Sequence, residues 1–545
     1  MKEKLVDQKT HTNYEKFLFI FSIAIFAFSH LCAELSVSAN LFLGRAFSAN
    51  IAREMLMTGP INPHNDGGVH GFFAIDGVYQ RAWNQHGDQG IGAYPFWSQT
   101  NSMTVGDNSG SYNIDAYQFG LGLVTTNGSI TLDPIIYQTG SDFMLYMQSK
   151  QYGHSMFAKI KSALTAMVIN PNFIETNPVT PVPYPAGSIF LLAAPTLITA
   201  TIPDPSSSMT QAFAGVTGGQ QAIPNFRAMT NGLINGPQST GAHLSDTEMT
   251  LGYNYTCQET DNNVSVGVRI TAPTGNKPQG IYVLEPINGR GGNWGVGGYL
   301  AGTYRVWQSA SEHDALKINF MSSGIHLCNA DVIRSYDLTA NDHGSKYLLV
   351  ADYHNNTFQS SIQNLVNLST LESQSSFAFE GDAALALTFS SGGFSADLGY
   401  NVWGRTQENL SITQQFDTQR YAILGQQYVS NYTTGNPSTL CQPTATIGSS
   451  QAALGGDGAA NANPSLGVLD ATIAANRIGG TADFNTAITA QYAAVTSKLF
   501  AKIGYNWKDC DCCPYVNLMG ECEWSNISNN ALAQWSIALI AGISL

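Results

Sequence analysis

Charge is what this chain lacks most. Only 11% of its 545 residues are charged, against about 25% in ordinary soluble domains. Long apolar runs are missing too, which excludes a membrane-spanning helix. Basic clusters are absent: 24 Lys and Arg stand against 38 Asp and Glu, a net charge of -14, so a nucleic-acid surface is excluded. The motifs of common enzymes are missing as well. There is no Gly-x-Ser-x-Gly elbow, no phosphate loop ending in Lys-Ser or Lys-Thr, and no His-Glu-x-x-His. Pro273–Pro278 has the look of a phosphate loop but not its length, and reads as a turn. His154-Ser155 is one pairing among 11 scattered histidines. No catalytic residue, metal site or cofactor is expected.

What fills the space is neither oily nor charged. Mean hydropathy is -0.06, because Gly, Asn, Ser, Thr and Gln occupy the polar positions. They do so in alternation. Met249, Leu251, Tyr253 and Tyr255 share one face of residues 247–256, with Glu248, Thr250 and Asn254 on the other. Val264, Val266, Val268 and Ile270 then oppose Ser265, Arg269 and Thr271. The pattern returns over 293–307, 316–320, 377–389, 394–405 and 499–507. Strands of about nine to thirteen residues with one oily and one polar face suit a tilted crossing of a bilayer. Aromatic residues gather near strand ends (Tyr253, Tyr255, Trp294, Tyr304, Trp307, Phe377, Phe389, Tyr400, Trp403), as interfacial girdles do.

In the first half, 71–81, 115–124 and 156–168 are the candidate strands. Residues 170–245 and 406–480 read as long extracellular loops, either of which could fold inward as a constriction. Residues 514–524 pose a question of parity. If they form the strand before the last, the Cys-rich turn faces the periplasm.

The ends of the chain carry addresses. Lys2, Lys4, Lys9 and Lys16 precede the apolar run Phe17–Phe28, and Ala33 suits a cleavage site, so 1–33 reads as a secretory signal. Residues 34–68 include the helix-compatible Ala46–Met57 and read as a periplasmic lead-in or an N-terminal plug. Seven of the eight cysteines follow the signal. Of these, Cys510, Cys512, Cys513 and Cys522 are the disulfide candidates, since export allows disulfides and the spacing is wrong for zinc. At the C-terminus Trp535, Ile537, Leu539, Ala541, Ile543 and Leu545 line one face of a final alternating strand.

That closing strand resembles the terminal strand of bacterial outer-membrane β-barrels, although Leu545 stands where that family usually has Phe or Trp. Together with the signal and the two-faced strands, residues 69–545 resemble a Gram-negative porin. Residues 249–307 are similar to porin-like envelope proteins of host-associated bacteria. The resemblance implies an all-β, transmembrane, antiparallel up-and-down barrel of about 14–16 strands (range 12–18) with long extracellular loops. It implies passive diffusion of small hydrophilic solutes through a water-filled channel. Its surroundings would be the outer-membrane bilayer with its lipopolysaccharide, its assembly would use the insertion machinery, and a homotrimer stays open. Inward charges then become pore-lining candidates: Lys159, Lys161, Arg269, Arg305, Lys317, Glu380, Asp382, Asp397, Arg405 and Lys502. Two other readings stand beside this one. They are a hydrophobic-substrate channel with an N-terminal plug, and an envelope structural protein or adhesin displayed on a barrel anchor.

Overall fold

A computed structural model describes residues 43–59, 68–83, 101–106, 113–121, 123–124, 127–149, 153–179, 181–182, 206–217, 226–257, 260, 262–311, 313–354, 357–424, 445–449, 462–463, 468–469, 477–508, 512–525 and 531–544. The signal, Cys441, Cys510 and Leu545 lie outside the described residues.

Twelve strands close into one antiparallel barrel. They are β1 (Val69–Ala82), β2 (Ile135–Ser149), β3 (His154–Asn170), β4 (Thr247–Thr256), β5 (Asn263–Ala272) and β6 (Gly295–Gln308), followed by β7 (Asp314–Ser335), β8 (Thr370–Ser391), β9 (Phe394–Arg405), β10 (Ala494–Asn506), β11 (Tyr515–Ser525) and β12 (Gln534–Ser544). Each pairs with its neighbours in chain order. The ring closes where the terminal strand meets the first, from Phe72↔Ser544 to Ala82↔Gln534. The count is at the bottom of the expected range, below the 14–16 that chain length suggests. The difference lies in the connections: among their described residues, 83–134, 171–246 and 406–493 add no strand that runs the length of the wall, only the short Gln238–Ser239 and His243–Leu244 beside β3 and Glu408–Ile412 beside β8.

Alternation sorts the side chains. Leu251 (65% exposed), Leu398 (64%) and Leu539 (58%) stand bare on the outside. Lys161, Lys498, Arg269 and Glu523 are buried within. This inverts the rule for a soluble domain, where large apolar side chains fill the core. An oily exterior and a closed ladder that satisfies the strands' backbone groups are what hydrocarbon demands. The barrel is built to cross a membrane.

The two ends differ. Short turns (150–153, 257–262, 309–313, 392–393 and 507–514) sit at the end where β1 begins and β12 finishes, here the terminal end. The long connections leave from the other, the loop end. Residues 515–525 do form the penultimate strand, so the Cys-rich turn belongs to the terminal end. At the loop end, β7 and β8 run on to 22 residues each. There, short strands of the long connections assemble three further sheets, of six, four and two strands. One apolar cluster of that region gathers Phe119, Phe213 and Tyr347, and a second Tyr336, Phe416 and Phe484.

Three expectations need correction. Residues 115–124 are not a barrel strand. Ala116–Phe119 is a 3-10 turn capped by the Asp115 side chain, which accepts from Tyr117 N at 3.0 Å, and ended by Gly120 at φ 73°. The apolar positions that suggested a strand, Tyr117, Phe119 and Leu121, are buried in the loop-end structure instead. Phe377 and Trp403 are not girdle residues, being 0% and 1% exposed. The β7–β8 register shifts between Ile325↔Glu380 and Leu327↔Phe377, and this irregularity turns Phe377 inward. Trp403 shares the inward parity of Asp397, Asn401 and Arg405. The remaining girdle candidates, Tyr253, Tyr255, Trp294, Tyr304, Trp307, Phe389 and Tyr400, are exposed.

Strand β2 escaped notice in the sequence because both its faces are apolar. Met144 and Tyr146 point inward, opposite Phe143, Leu145 and Met147.

If the exterior faces lipid, Leu539→Arg at the middle of β12 should cost about 2–4 kcal/mol of folding free energy in vesicles. Val516→Arg, near the terminal rim of β11, should cost about 0–1 kcal/mol. Denaturant titration of refolded protein, read by heat-modifiable gel migration, measures both.

Candidate functional site: a charged lumen and the segment inside it

The lumen holds part of the chain itself. Residues 43–57 lie within the barrel and end in helix α1 (Ile51–Met57), every residue of which is buried. Its composition favours helix, but seven residues are too few for a stable helix alone. The local sequence and the wall supply the missing terminal partners. The Asn50 side chain accepts from Arg53 N at 3.1 Å, and Asp382 accepts the Ile51 N–H at 3.0 Å. At the other end Tyr515 Oη donates to Met57 O at 2.7 Å, and Asn517 Nδ2 to Leu56 O at 3.3 Å. Strands β8 and β11 thus satisfy part of what is left open at the helix ends, and Asn50 and Thr58 of the segment itself supply further partners.

Three charged residues fix the segment's orientation. Arg53 meets Asp142 of β2 and lies 3.5 Å from Asp76 of β1. Glu54 receives Lys159 and Lys161 of β3 and Arg269 of β5, the last at 2.6 Å. Arg45 spans Asp382 of β8 at 2.5 Å and Glu523 of β11 at 3.1 Å. Arg53 and Glu54 are consecutive, so on a helix they diverge by about 100°. That divergence lets one reach the acidic β1–β2 wall and the other the basic β3–β5 wall. The network continues beyond the segment. Arg269 also pairs with Glu248 at 3.3 Å, and Arg290 bridges Glu248 at 2.8 Å and Glu380 at 2.7 Å. Lys498 lies between Glu521 (3.3 Å) and Glu523 (3.4 Å). Lys159 and Arg269 also stack over the Tyr299 ring, at 4.0 and 4.9 Å from its centroid.

Apolar packing completes the seat. Phe47, Ile51, Met55 and Leu56 join one buried cluster with wall residues including Phe72, Met144, Phe157, Met519 and Ile540. This explains why β2 carries apolar residues inward: its lumen face packs on protein, not water.

The sequence-selected charges fall into four groups. Lys159, Lys161, Arg269 and Asp382 contact the inner segment directly. Arg405 joins them through its Nη2, which donates to Leu43 O at 2.8 Å, with its guanidinium 4.4 Å above Phe377. Glu380 is reached by Arg290 and is cross-strand from Arg405. Asp397 and Lys502 pair with each other at 2.8 Å across β9 and β10. They sit apart from Glu380 and Asp382, against the expected grouping. Arg305 and Lys317 are half-buried cross-strand partners toward the terminal end of β6 and β7.

Sequence reasoning did not select Arg45, Arg53, Glu54, Asp76, Asp142, Arg290, Lys498, Glu521 or Glu523. Parity would have found the glutamates, which flank outward Cys522 on the inward face of β11. Adjacent Arg53-Glu54 inside an otherwise apolar helix was the signal for the segment.

The expected disulfide among the clustered cysteines does not form among the described residues. Cys512 and Cys522 are exposed free thiols, and the Cys513 sulfur donates to Lys508 O at 3.7 Å. Cys522 points outward on β11 and Cys512 lies in the turn, so the strand itself separates them. On the closing strand, Trp535, Ile537, Leu539 and Ile543 all face outward.

No protein-family model matches the chain, and no curated protein matches it. Among solved structures, the chain is similar to an outer-membrane channel from Pseudomonas putida F1. Identity is 9%, 90% of this chain and 100% of that one are covered, and the TM-score is 0.35. It is also similar to the β domain of the Bordetella autotransporter BrkA (7% identity, 88% and 100% covered, TM-score 0.29) and to a FadL homologue of Pseudomonas aeruginosa (8%, 87% and 89%, 0.26). Likeness this distant assigns no family, and the barrel's own geometry carries the reading.

Removing the Glu54 charge leaves Lys159 and Lys161 without their carboxylate and Arg269 with Glu248 alone, and breaking a buried pair in this way costs about 3–5 kcal/mol. Glu54→Gln should therefore unseat α1 and speed amide exchange at residues 51–57, while β3 and β5 keep their protection. Adding Arg269→Gln should restore part of that protection. Hydrogen-exchange mass spectrometry in detergent reads both.

Proposed function

We propose that the protein is an outer-membrane channel for small hydrophilic solutes whose conductance is governed by its own N-terminal segment. One observation carries this reading. Residues 43–57 occupy the lumen and are held there mainly by ion pairs and hydrogen bonds to β1, β2, β3, β5, β8 and β11. A wall lined with fixed charges of both signs sorts polar solutes by charge and dipole once water reaches it. The terminal end, with its short turns, would face the periplasm and the loop end the outside, as outer-membrane barrels are arranged.

The hydrophobic-substrate reading requires an N-terminal segment in the lumen and an apolar pocket beside it. Residues 43–57 meet the first requirement. The apolar contacts next to them are filled by the segment's own Phe47, Ile51, Met55 and Leu56. The polar reading is therefore preferred.

Deletion of residues 43–57 tests it. In planar bilayers the intact protein should show rare or small steps, and the deletion variant larger, ohmic ones. Two Arg against one Glu leave the segment cationic, so its loss should also shift selectivity toward cations. A deletion variant that folds, by heat-modifiable migration, yet stays silent would overturn the channel reading and favour a barrel that only anchors its loop-end structure.

A further inference from the structure

The barrel wall has a seam. Between β1 and β2 the cross-strand register is the same on both sides of a gap, Ile75↔Phe143 before it and Val78↔Gly140 after it, with Asp76 and Gly77 making no ladder pair in between. On its other edge β1 stays fully paired, through Asp76↔Ile540 and Gly77↔Leu539. At the break the Asp76 side chain takes over a ladder role, its Oδ1 accepting the Asp142 backbone N–H at 2.7 Å. Directly behind it, on the lumen side, sits Arg53 against both carboxylates. Asp76 Oδ2, Asp142 Oδ1 and Arg53 Nη1 remain buried without hydrogen-bond partners.

The outside of the seam is hollow. An open depression of about 620 Å³ is lined by Gly77, Tyr79, Ser141, Leu164, Ile537 and Leu539 among others. Small residues make it. A Cβ added at Gly77 would meet nothing within 4 Å, and the outward residue beside it on β2 is the small Ser141. The rim is continuous with the apolar exterior, where Leu164 is 41%, Ile537 48% and Leu539 58% exposed.

We propose that this depression is a binding site for one acyl chain of a bilayer lipid, which covers the seam over the Asp76–Arg53–Asp142 cluster. The proposal rests on the membrane-barrel reading. Within hydrocarbon there is no hydrophobic drive toward a groove, because lipid tails are as apolar as leucine. The drive is packing, since an unfilled hollow forfeits dispersion contacts along its whole lining. A flexible chain fits a groove floored by glycine and serine, where a neighbouring side chain does not reach. It also keeps water in the wall defect from meeting the buried ion cluster, whose electrostatics depend on a dry surround.

The test uses the full-length, processed protein refolded into phosphatidylcholine vesicles in which a fraction of the lipid carries a diazirine at mid-chain. After irradiation, adducts are mapped by mass spectrometry. Labelling of 77–79, 139–141 and 537–539 should exceed that of the outward face of β5 (Val264, Val266, Val268 and Ile270), which is equally exposed, by severalfold. Gly77→Leu should fill the hollow and bring the two faces level. Gly298→Leu, an outward glycine of β6 whose Cβ also meets open space, should leave the excess intact. Even labelling of the two faces overturns the site, as does an excess that survives Gly77→Leu. Adducts on inward Phe47 or Met144 would overturn it in favour of passage through the wall. No labelling of either face would overturn the membrane reading itself.

Discussion

The pairing of three charges on an inner segment with three patches of opposite sign on a barrel wall governs this structure. Burying an ion is costly unless a partner and further hydrogen bonds receive it. Here the wall is sorted: acidic at β1–β2, basic at β3 and β5, acidic again at β8 and β11. Arg53, Glu54 and Arg45 answer those patches in turn. Any rotation of α1 about its axis would carry Glu54 toward Asp76 and Asp142, or Arg53 toward Lys159 and Arg269. The arrangement therefore admits one seating, which apolar packing alone would not specify, because Phe47, Ile51, Met55 and Leu56 could slide against many oily neighbours. A segment held by ions answers to water: its buried pairs are little screened by salt, and only entry of water into the lumen would let solvent compete for them.

The exterior obeys a different constraint. Hydrocarbon offers no partner to an open amide, so the ladder must close on itself. The closure is made by the last strand on the first, and it runs without interruption along β12. That continuity makes the break on the opposite edge of β1 informative. The wall is not frayed at its closing joint but interrupted one strand further on, where a side chain substitutes for the backbone and an arginine from the inner segment stands behind it.

Much of this was legible in the residues and some was not. Strands β4 to β10 and β12 announced themselves because one face meets lipid and the other small polar groups, which gives the cleanest period of two, whereas residues 514–524, where β11 lies, left the question open. Outward positions such as Leu251, Val268, Leu398 and Leu539 could be read from parity alone. Strand β2 could not, since its inward Met144 and Tyr146 pack against protein and blur the alternation. The register shift in β8 turned Phe377 inward, and no local pattern foretells an irregularity set by the partner strand. The inward charges Lys159, Lys161, Arg269 and Asp382 were visible as isolated ions on polar faces. Their partners were not, because Glu54 and Arg45 are separated from them by more than a hundred residues of chain and meet them only once the barrel closes. The strand count depended on connection lengths, and the long segments at the loop end, with small sheets of their own, consumed chain that a plain barrel would have spent on two more strands.

The seam and the inner segment follow from one another physically. An interrupted cross-strand pair in a bilayer exposes backbone polar groups, each costing several kcal/mol if left unsatisfied in hydrocarbon. Placing Asp76 at the gap satisfies the Asp142 amide but brings two carboxylates together in the wall. That pair is tolerable only with a cation between them, and the cation comes from neither strand. Its source is Arg53, delivered by a helix that cannot hold its shape outside the barrel. The wall defect thus depends on the seated segment, and the segment's position depends on the acids that the defect exposes. Withdrawing the helix would leave Asp76 and Asp142 facing each other behind a floor of glycine and serine, two like charges in a stretch of wall where β1 and β2 make no ladder pair. The segment inside the lumen is accordingly part of what holds the wall together at that point, as well as an obstacle to flow.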